Sequence, residues 1–142
     1  MATRVGSRYS AGLHPLHAIF LAGTIPLFLG ALLSDIAYAQ TYQIQWSNFA
    51  SWLIAGGLLF GAITLVFAVV GIFRADQQKG RYAIYLLILL AAWLVGFVNV
   101  LVHAKDAWAS MPMGLILSAI VTVLVCAATW IGFGHWRQGG RA

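Results

Sequence analysis

Residues 82–102 read YAIYLLILLAAWLVGFVNVLV, a run of 21 residues without one charged side chain. An α-helix rises 1.5 Å per residue, so this run spans about 31 Å, close to the thickness of the hydrocarbon core of a bilayer. Backbone groups find no water to bond with in lipid, so a run of this kind must be helical. The stretch therefore predicts a transmembrane helix.

Three further apolar runs lie at residues 16–39, 49–73 and 113–133, and none contains Lys or Arg. Together with 82–102 they predict an all-α, four-helix transmembrane bundle of up-down-up-down topology, in one domain over residues 1–142. The short charged turn from Arg74 to Arg81 makes the second and third helices antiparallel neighbours. A cleavable secretory signal ending near Ala37-Tyr38-Ala39 is the alternative for the first run, which is longer than the usual core of a signal.

The composition excludes several classes of protein. The chain is 62% hydrophobic and 8% charged, whereas a soluble domain is about 25% charged. The net charge of +5 does not indicate nucleic acid, because the basic residues are scattered at the ends of apolar runs. Cys126 is the only cysteine, which excludes a disulfide framework, and its apolar surroundings predict a buried, inert thiol.

Basic residues predict the orientation in the membrane. Seven of them fall on one side of the four-span arrangement: Arg4, Arg8, Arg74, Lys79, Arg81, Arg137 and Arg141. Only Lys105 falls on the other side. The excess of positive charge on cytoplasmic segments therefore predicts a multi-pass protein of the bacterial inner membrane with both termini in the cytoplasm.

Polar residues within or beside a span are the default candidates for function. Asn99 and His103 are four residues apart and share one face of the third helix. Gly96 lies on the same face, Asp106 follows one turn later, and Asp35 emerges on the same side of the membrane. This outer cluster predicts a proton relay, a quinone headgroup site or a metal site, or else a helix-end network that ties the outer loops together.

A second, inner cluster consists of His14, His17 and His135. His14 and His17 are three residues apart, and His135 ends the fourth helix on the same side. Paired imidazoles at matched depth could hold haem b or another metal. Because these histidines are interfacial, anchoring and local capping is the alternative.

Two patterns of small residues indicate helix packing. Gly57 and Gly61 form a small-xxx-small motif in the second helix, and Ser118, Thr122 and Cys126 recur at every fourth position of the fourth. Such faces predict close packing within the chain or a seam between copies in a homo-oligomer.

No phosphate loop, catalytic triad or zinc-protease motif is present in the sequence, so we expect that the protein is not an enzyme.

Several motifs are similar to those of one bacterial family. They are HPLH (14–17), SDIAY (34–38), QWSNFASWL (45–53), HAKDAW (103–108) and GLILSAI (114–120). Together they resemble the domain-of-unknown-function 2231 family of four-helix membrane proteins, from about His14 to Gly134. The chain departs from that pattern at Ala18, where many members have Pro, and it lacks a histidine that many carry early in the first helix.

The resemblance implies a fold but no settled activity. Similar family members are often encoded near periplasmic quinoprotein dehydrogenases. This context, with the outer loop that carries Trp108, favours a non-catalytic membrane subunit or anchor for a periplasmic dehydrogenase or respiratory-chain component. The alternatives are an electron-transfer protein that binds haem b or quinone, and a structural homo-oligomer.

Overall fold

The computed structural model describes residues 13–74 and 79–139. Four long helices account for most of them: α1 (Pro15–Thr41), α2 (Ile44–Arg74), α3 (Lys79–His103) and α5 (Met113–Gly139). A single helical turn, α4 (Ala107–Ser110), lies between α3 and α5. All four long helices are long and apolar enough to cross a membrane. The prediction of an all-α protein with four spans is confirmed.

The α1–α2 link is shorter than the sequence predicts. It contains only Tyr42 and Gln43, and Tyr42 reverses the chain in the left-handed conformation, with φ 55°. Because the turn is complete within two residues, α2 begins at Ile44 and Ser47 lies inside the helix. Ser47 comes just before the second apolar run, and its residue type predicts a helix cap there, but it does not cap α2.

The start of the fourth span also differs from expectation, because Ser110 and Pro112 just before the fourth apolar run predict that Ser110 caps that helix. Ser110 ends the short helix α4, and its hydroxyl donates to the carbonyl of Ala107 at 2.7 Å. It does not cap α5, which begins only after Pro112. The cause is the extra turn α4, which uses residues that a simple loop would have left free.

The four long helices form a closed ring. Helix α1 packs against α2 and α5, and α3 packs against the same two helices. The α1–α2 link, the α3–α4 link and α4 all lie at one end, which we call the loop end. The candidate site lies inside the bundle near this end.

Each long helix has one stripe of buried residues. Successive positions of the stripe are alternately three and four residues apart, the 3.5-residue period of helices that pack side by side with a left-handed twist. Ser34, Val102 and Thr122 are buried beside these stripes. The buried stripes of α1 and α3 contain His17, Leu21, Thr24, Phe28, Ala31, Asp35 and Tyr38, and Tyr85, Leu89, Ala92, Gly96, Asn99 and His103. Those of α2 and α5 contain Ser47, Ala50, Ile54, Gly57, Gly61, Thr64 and Ala68, and Gly114, Ser118, Val121, Val125, Ala128 and Gly132.

The two glycines of the small-xxx-small motif face the inside of the chain. A Cβ at Gly57 would lie 2.8 Å from the ring of Phe28, and one at Gly61 would lie 3.2 Å from Trp93. Trp93 is also tied to α2 directly, because its indole N–H donates to the carbonyl of Leu58 at 3.1 Å. Both glycines thus allow neighbouring helices of the same chain to approach α2.

The stripe predicted on the fourth span does not stay on one face. Ser118 and Thr122 are buried, but Cys126 is exposed on the outside of the bundle. Four residues of an α-helix turn through about 400°, so positions four apart drift by about 40° at each step. The drift carries Cys126 out of the core, and the expectation of a buried thiol was wrong.

Candidate functional site

Polar side chains from three helices meet inside the bundle near the loop end. Asp35 comes from α1, Asn99 and His103 from α3, and Ser118 from α5. All four belong to the buried stripes, and Asp35, Asn99 and Ser118 have no exposed surface. The sequence pattern that places apolar residues in the core therefore places these four there too.

Hydrogen bonds join the four residues into a closed loop. The Nε2 atom of His103 lies 2.8 Å from Oδ1 of Asp35. The hydroxyl of Ser118 donates to the other carboxyl oxygen of Asp35, and the side-chain amide of Asn99 donates to the Ser118 oxygen at 2.8 Å. The loop closes at His103, whose Nδ1 lies 3.0 Å from the backbone carbonyl of Asn99. The network links α1, α3 and α5 at one level.

Gly114 determines how closely the His103 ring approaches α5. A Cβ at this position would lie 2.7 Å from Cε1 of the imidazole. The ring therefore lies directly over the backbone of α5, which leaves His103 only 7% exposed. Gly96, which we expected to leave room beside Asn99, is instead covered by Phe28 and Leu58.

One acceptor of the network has no partner among the described residues. The Oδ1 atom of Asn99 is fully buried and forms no hydrogen bond. Reversing the amide would pair this oxygen with Ser118 but would then leave the amide nitrogen unpaired and deprive Asp35 of the Ser118 donor. Either orientation leaves one buried amide atom without a hydrogen-bond partner among the described residues.

Asp106, the fourth member of the predicted outer cluster, does not join this network. It is exposed, precedes the short helix α4, and makes no side-chain hydrogen bond to the end of that helix. Three of the four predicted residues, Asp35, Asn99 and His103, are therefore brought together. Asp106 stays on the surface because the chain turns away after α3 ends.

At the opposite end of the bundle, His14 and His17 lie close together. Both imidazoles stack on Phe67 with ring centroids 5.7 Å apart. His14 caps α1, because its Nδ1 accepts from the backbone N–H of Leu16. The Nε2 atom of His17 lies 2.8 Å from the hydroxyl of Tyr85. A nitrogen of each ring is therefore occupied within the protein, and both histidines belong to the same helix.

The third residue of the predicted inner cluster, His135, lies in α5, and its side chain is outside the described part of the chain. Among the described residues, no group of three metal-ligating side chains occurs. A small pocket near His17 is lined by Leu13, Arg81, Tyr82, Tyr85, Ile131 and Gly132.

Ser118 and Gly114 complete the site but were not predicted as parts of it. The sequence pattern places Ser118 in a packing stripe and predicts no role in the site for Gly114. The 3.5-residue period could have predicted both residues. It places Gly114 and Ser118 on the buried stripe of α5, at the same depth in the bundle as Asp35 and His103.

Comparison with known proteins gives one match. The family model described as "Predicted membrane protein (DUF2231)" matches residues 13–138, which is most of the chain. No curated protein and no solved structure matches.

Proposed function

From the premise that this chain belongs to the DUF2231 family of predicted membrane proteins, we propose that it is a non-catalytic membrane subunit. In this proposal it anchors a periplasmic redox enzyme, of the quinoprotein dehydrogenase type, to the bacterial inner membrane. The family description names no activity, so the support comes from the surface at the loop end.

An exposed aromatic surface at the loop end carries this proposal. Trp108 of α4 is 73% exposed, Tyr42 of the α1–α2 link is 64% exposed, and their rings stack at 5.5 Å with an angle of 15°. Ile44 and Trp46 extend the surface along the start of α2. We call these four residues the loop-end aromatic surface. Large aromatic side chains are enriched among the residues that dominate binding at protein interfaces.

The aromatic belt of membrane proteins is the simpler role for exposed Trp and Tyr. The Tyr42–Trp108 pair differs from isolated belt residues because it joins the α1–α2 link to helix α4 in one stack. Trp130, on the outer side of α5, is 83% exposed and stacks on no other ring among the described residues, as is expected of a belt residue. The two tryptophans therefore provide a matched comparison.

The polar groups inside the bundle support a non-catalytic role. Asp35, His103 and Ser118 bond to one another rather than facing an open cleft, and His17 is paired with Tyr85. A catalytic group must come within hydrogen-bonding reach of a substrate. Asp35 and Ser118 have no exposed surface, so neither presents its polar group at the surface of the bundle.

Purification from native membranes in mild detergent tests the anchor. We expect a redox enzyme to be recovered with the wild-type chain and with Trp130→Ala. Trp108→Ala should reduce its recovery at least ten-fold, since a central interface Trp commonly contributes about 2 kcal/mol or more. If the wild-type chain is recovered alone in several detergents, or if Trp108→Ala has no effect, the proposal is wrong.

An electron carrier that binds quinone is the second candidate. The observation that favours it is the grouping of Arg81, Tyr82 and Tyr85 around His17, which brings together hydrogen-bond donors of the kind that quinone carbonyls accept. The pocket between them has room for little more than a water molecule, so a bound headgroup would have to widen it. Haem b has less support, because His14 and His17 come from one helix. A reduced-minus-oxidised absorption spectrum of the purified protein, with extraction of bound quinone, separates both from the anchor.

A structural homo-oligomer would need a seam other than Gly57 and Gly61, which contact their own chain.

A further inference from the structure

The hydrogen-bond partners of His103 determine where its protons lie. The Nδ1 atom faces the backbone carbonyl of Asn99, which can only accept, so Nδ1 must carry a proton. The Nε2 atom lies 2.8 Å from a carboxyl oxygen of Asp35. Two bare lone pairs would repel at that distance, so a second proton must lie between Nε2 and Oδ1.

The other half of the loop has an equally defined direction. The amide nitrogen of Asn99 can only donate, so the Ser118 oxygen accepts from it and must use its own proton elsewhere. That proton points to Oδ2 of Asp35. Because Oδ2 already accepts from Ser118, the proton that Asp35 shares with His103 must lie at its other oxygen, Oδ1.

In the part of the chain that the structure describes, the helices packed around the pair offer no other charge to replace this proton. On α1, Tyr38 follows Asp35 by one turn, α2 has no ionisable residue between Ile44 and Phe73, and α5 has none before Cys126. Lys105 and Asp106 lie on the exposed link that follows α3. Removing the shared proton would leave one negative charge on fully buried groups, a costly arrangement without a partner.

We propose that Asp35 and His103 form a binding site for one exchangeable proton, held between Oδ1 and Nε2 near the loop end of the bundle. On release, the proton passes to water or a buffer base, and the pair is left as a carboxylate and a neutral imidazole. The buried Asn99 Oδ1, which has no partner among the described residues, is an unused hydrogen-bond acceptor in the same network. The shared proton forms the hydrogen bond between Asp35 of α1 and His103 of α3. Its loss therefore weakens the contact between these two helices.

The substitution Asp35→Asn isolates the proton from the hydrogen bonds. Its amide nitrogen can donate to Nε2 of a neutral His103, and its oxygen can accept from Ser118. Every hydrogen bond of the loop is then retained without a shared proton. Asp106→Asn is the matched control, because it removes an exposed carboxyl group at the same end of the bundle, outside the network.

Nitrogen-15 NMR of histidine-labelled protein in lipid nanodiscs measures the proton on each ring nitrogen, and His103→Gln identifies the His103 signals. In the wild type and in Asp106→Asn, we expect Nδ1 to stay protonated while the Nε2 signal reports the loss of one proton as the pH is raised through the range in which the protein stays folded. In Asp35→Asn, the ring should remain neutral, with its proton on Nδ1, over the same range.

Three results would overturn the proposal: an unprotonated Nδ1 in the wild type, wild-type His103 signals that do not change with pH, or the same pH response in Asp35→Asn. The first two need no variant and therefore test the proposal even if Asp35→Asn does not fold. None of them depends on the anchoring function, because no partner protein is present in the sample.

Discussion

At the scale of single residues, Gly114 determines whether the polar site can form. The His103 ring lies against the backbone of α5 at this position, where a Cβ would come within 2.7 Å of Cε1. Histidine is stiff and has few rotamers, and its two nitrogens are both engaged. A side chain at Gly114 would thus displace the ring from Asp35 rather than be accommodated.

We expect Gly114→Ala to lower the free energy of unfolding by about 1–3 kcal/mol, the usual cost of forcing extra atoms into a well-packed site. Loss of the His103–Asp35 contact would add to the cost of the clash. The measurement is thermal unfolding in detergent, followed by circular dichroism. Gly80→Ala is the control, because nothing lies within 4 Å of a Cβ built there. Equal melting of the two variants would contradict the placement of the ring.

At the scale of helices, the packing depends on buried stripes with a 3.5-residue period. Phe28 of α1 is the largest fully buried side chain in the described part of the protein, and glycines on two other helices make room for it. Gly57 of α2 and Gly96 of α3 both face its ring. A large residue on one helix is thus matched by the absence of side chains on its neighbours, as is common where transmembrane helices approach closely.

Adjacent glycines of α2 test this arrangement. A Cβ at Gly57 would lie 2.8 Å from the Phe28 ring, whereas one at Gly56 would lie 3.5 Å from Leu27, an ordinary contact. The gain in helix propensity from Gly→Ala is the same at both positions and cancels in the comparison. We expect Gly57→Ala to be less stable than Gly56→Ala by about 1–3 kcal/mol in a detergent unfolding assay. A Gly57→Ala variant as stable as Gly56→Ala would mean that Phe28 does not pack there.

At the scale of the whole molecule, the four spans give the protein two chemically different ends. The loop end carries the loop-end aromatic surface and, beneath it, the network of Asp35 and His103. The other end carries His14 and His17 and, by sequence, almost all of the basic residues. An anchor that binds a periplasmic partner requires the loop end to face the periplasm, as the distribution of charge predicts.

Single cysteines in a Cys126→Ser background test this orientation in intact cells of a bacterial host. We expect Gln43→Cys, on the exposed α1–α2 link, to react with a membrane-impermeant maleimide. Gly80→Cys, near the start of α3, should react only after the cells are made permeable. The reverse pattern would place the termini outside and would remove the basis of the proposed periplasmic partner.

The number of spans could be predicted from the sequence because it depends on length and hydropathy alone. A run such as 82–102 has only one structure available in lipid, whatever its neighbours are. The helix ends were less predictable. Helix α2 begins five residues before the predicted Phe49, because Tyr42 completes the turn in the left-handed conformation, which residues other than glycine rarely adopt. A local preference could not reveal that turn, which the packing of α1 against α2 and the stack on Trp108 stabilise.

The sequence by itself determined that Asn99 and His103 share a face of α3 and that Asp35 lies on the same side of the membrane, since spacing and span direction suffice for both. Only the tertiary structure decided that Ser118 completes the loop, that Asp106 is left outside it, and that Cys126 faces outward. These outcomes depend on how each helix is rotated about its axis and how far it slides along its neighbours. Packing between helices sets both, through contacts such as Gly114 with His103 and Gly57 with Phe28.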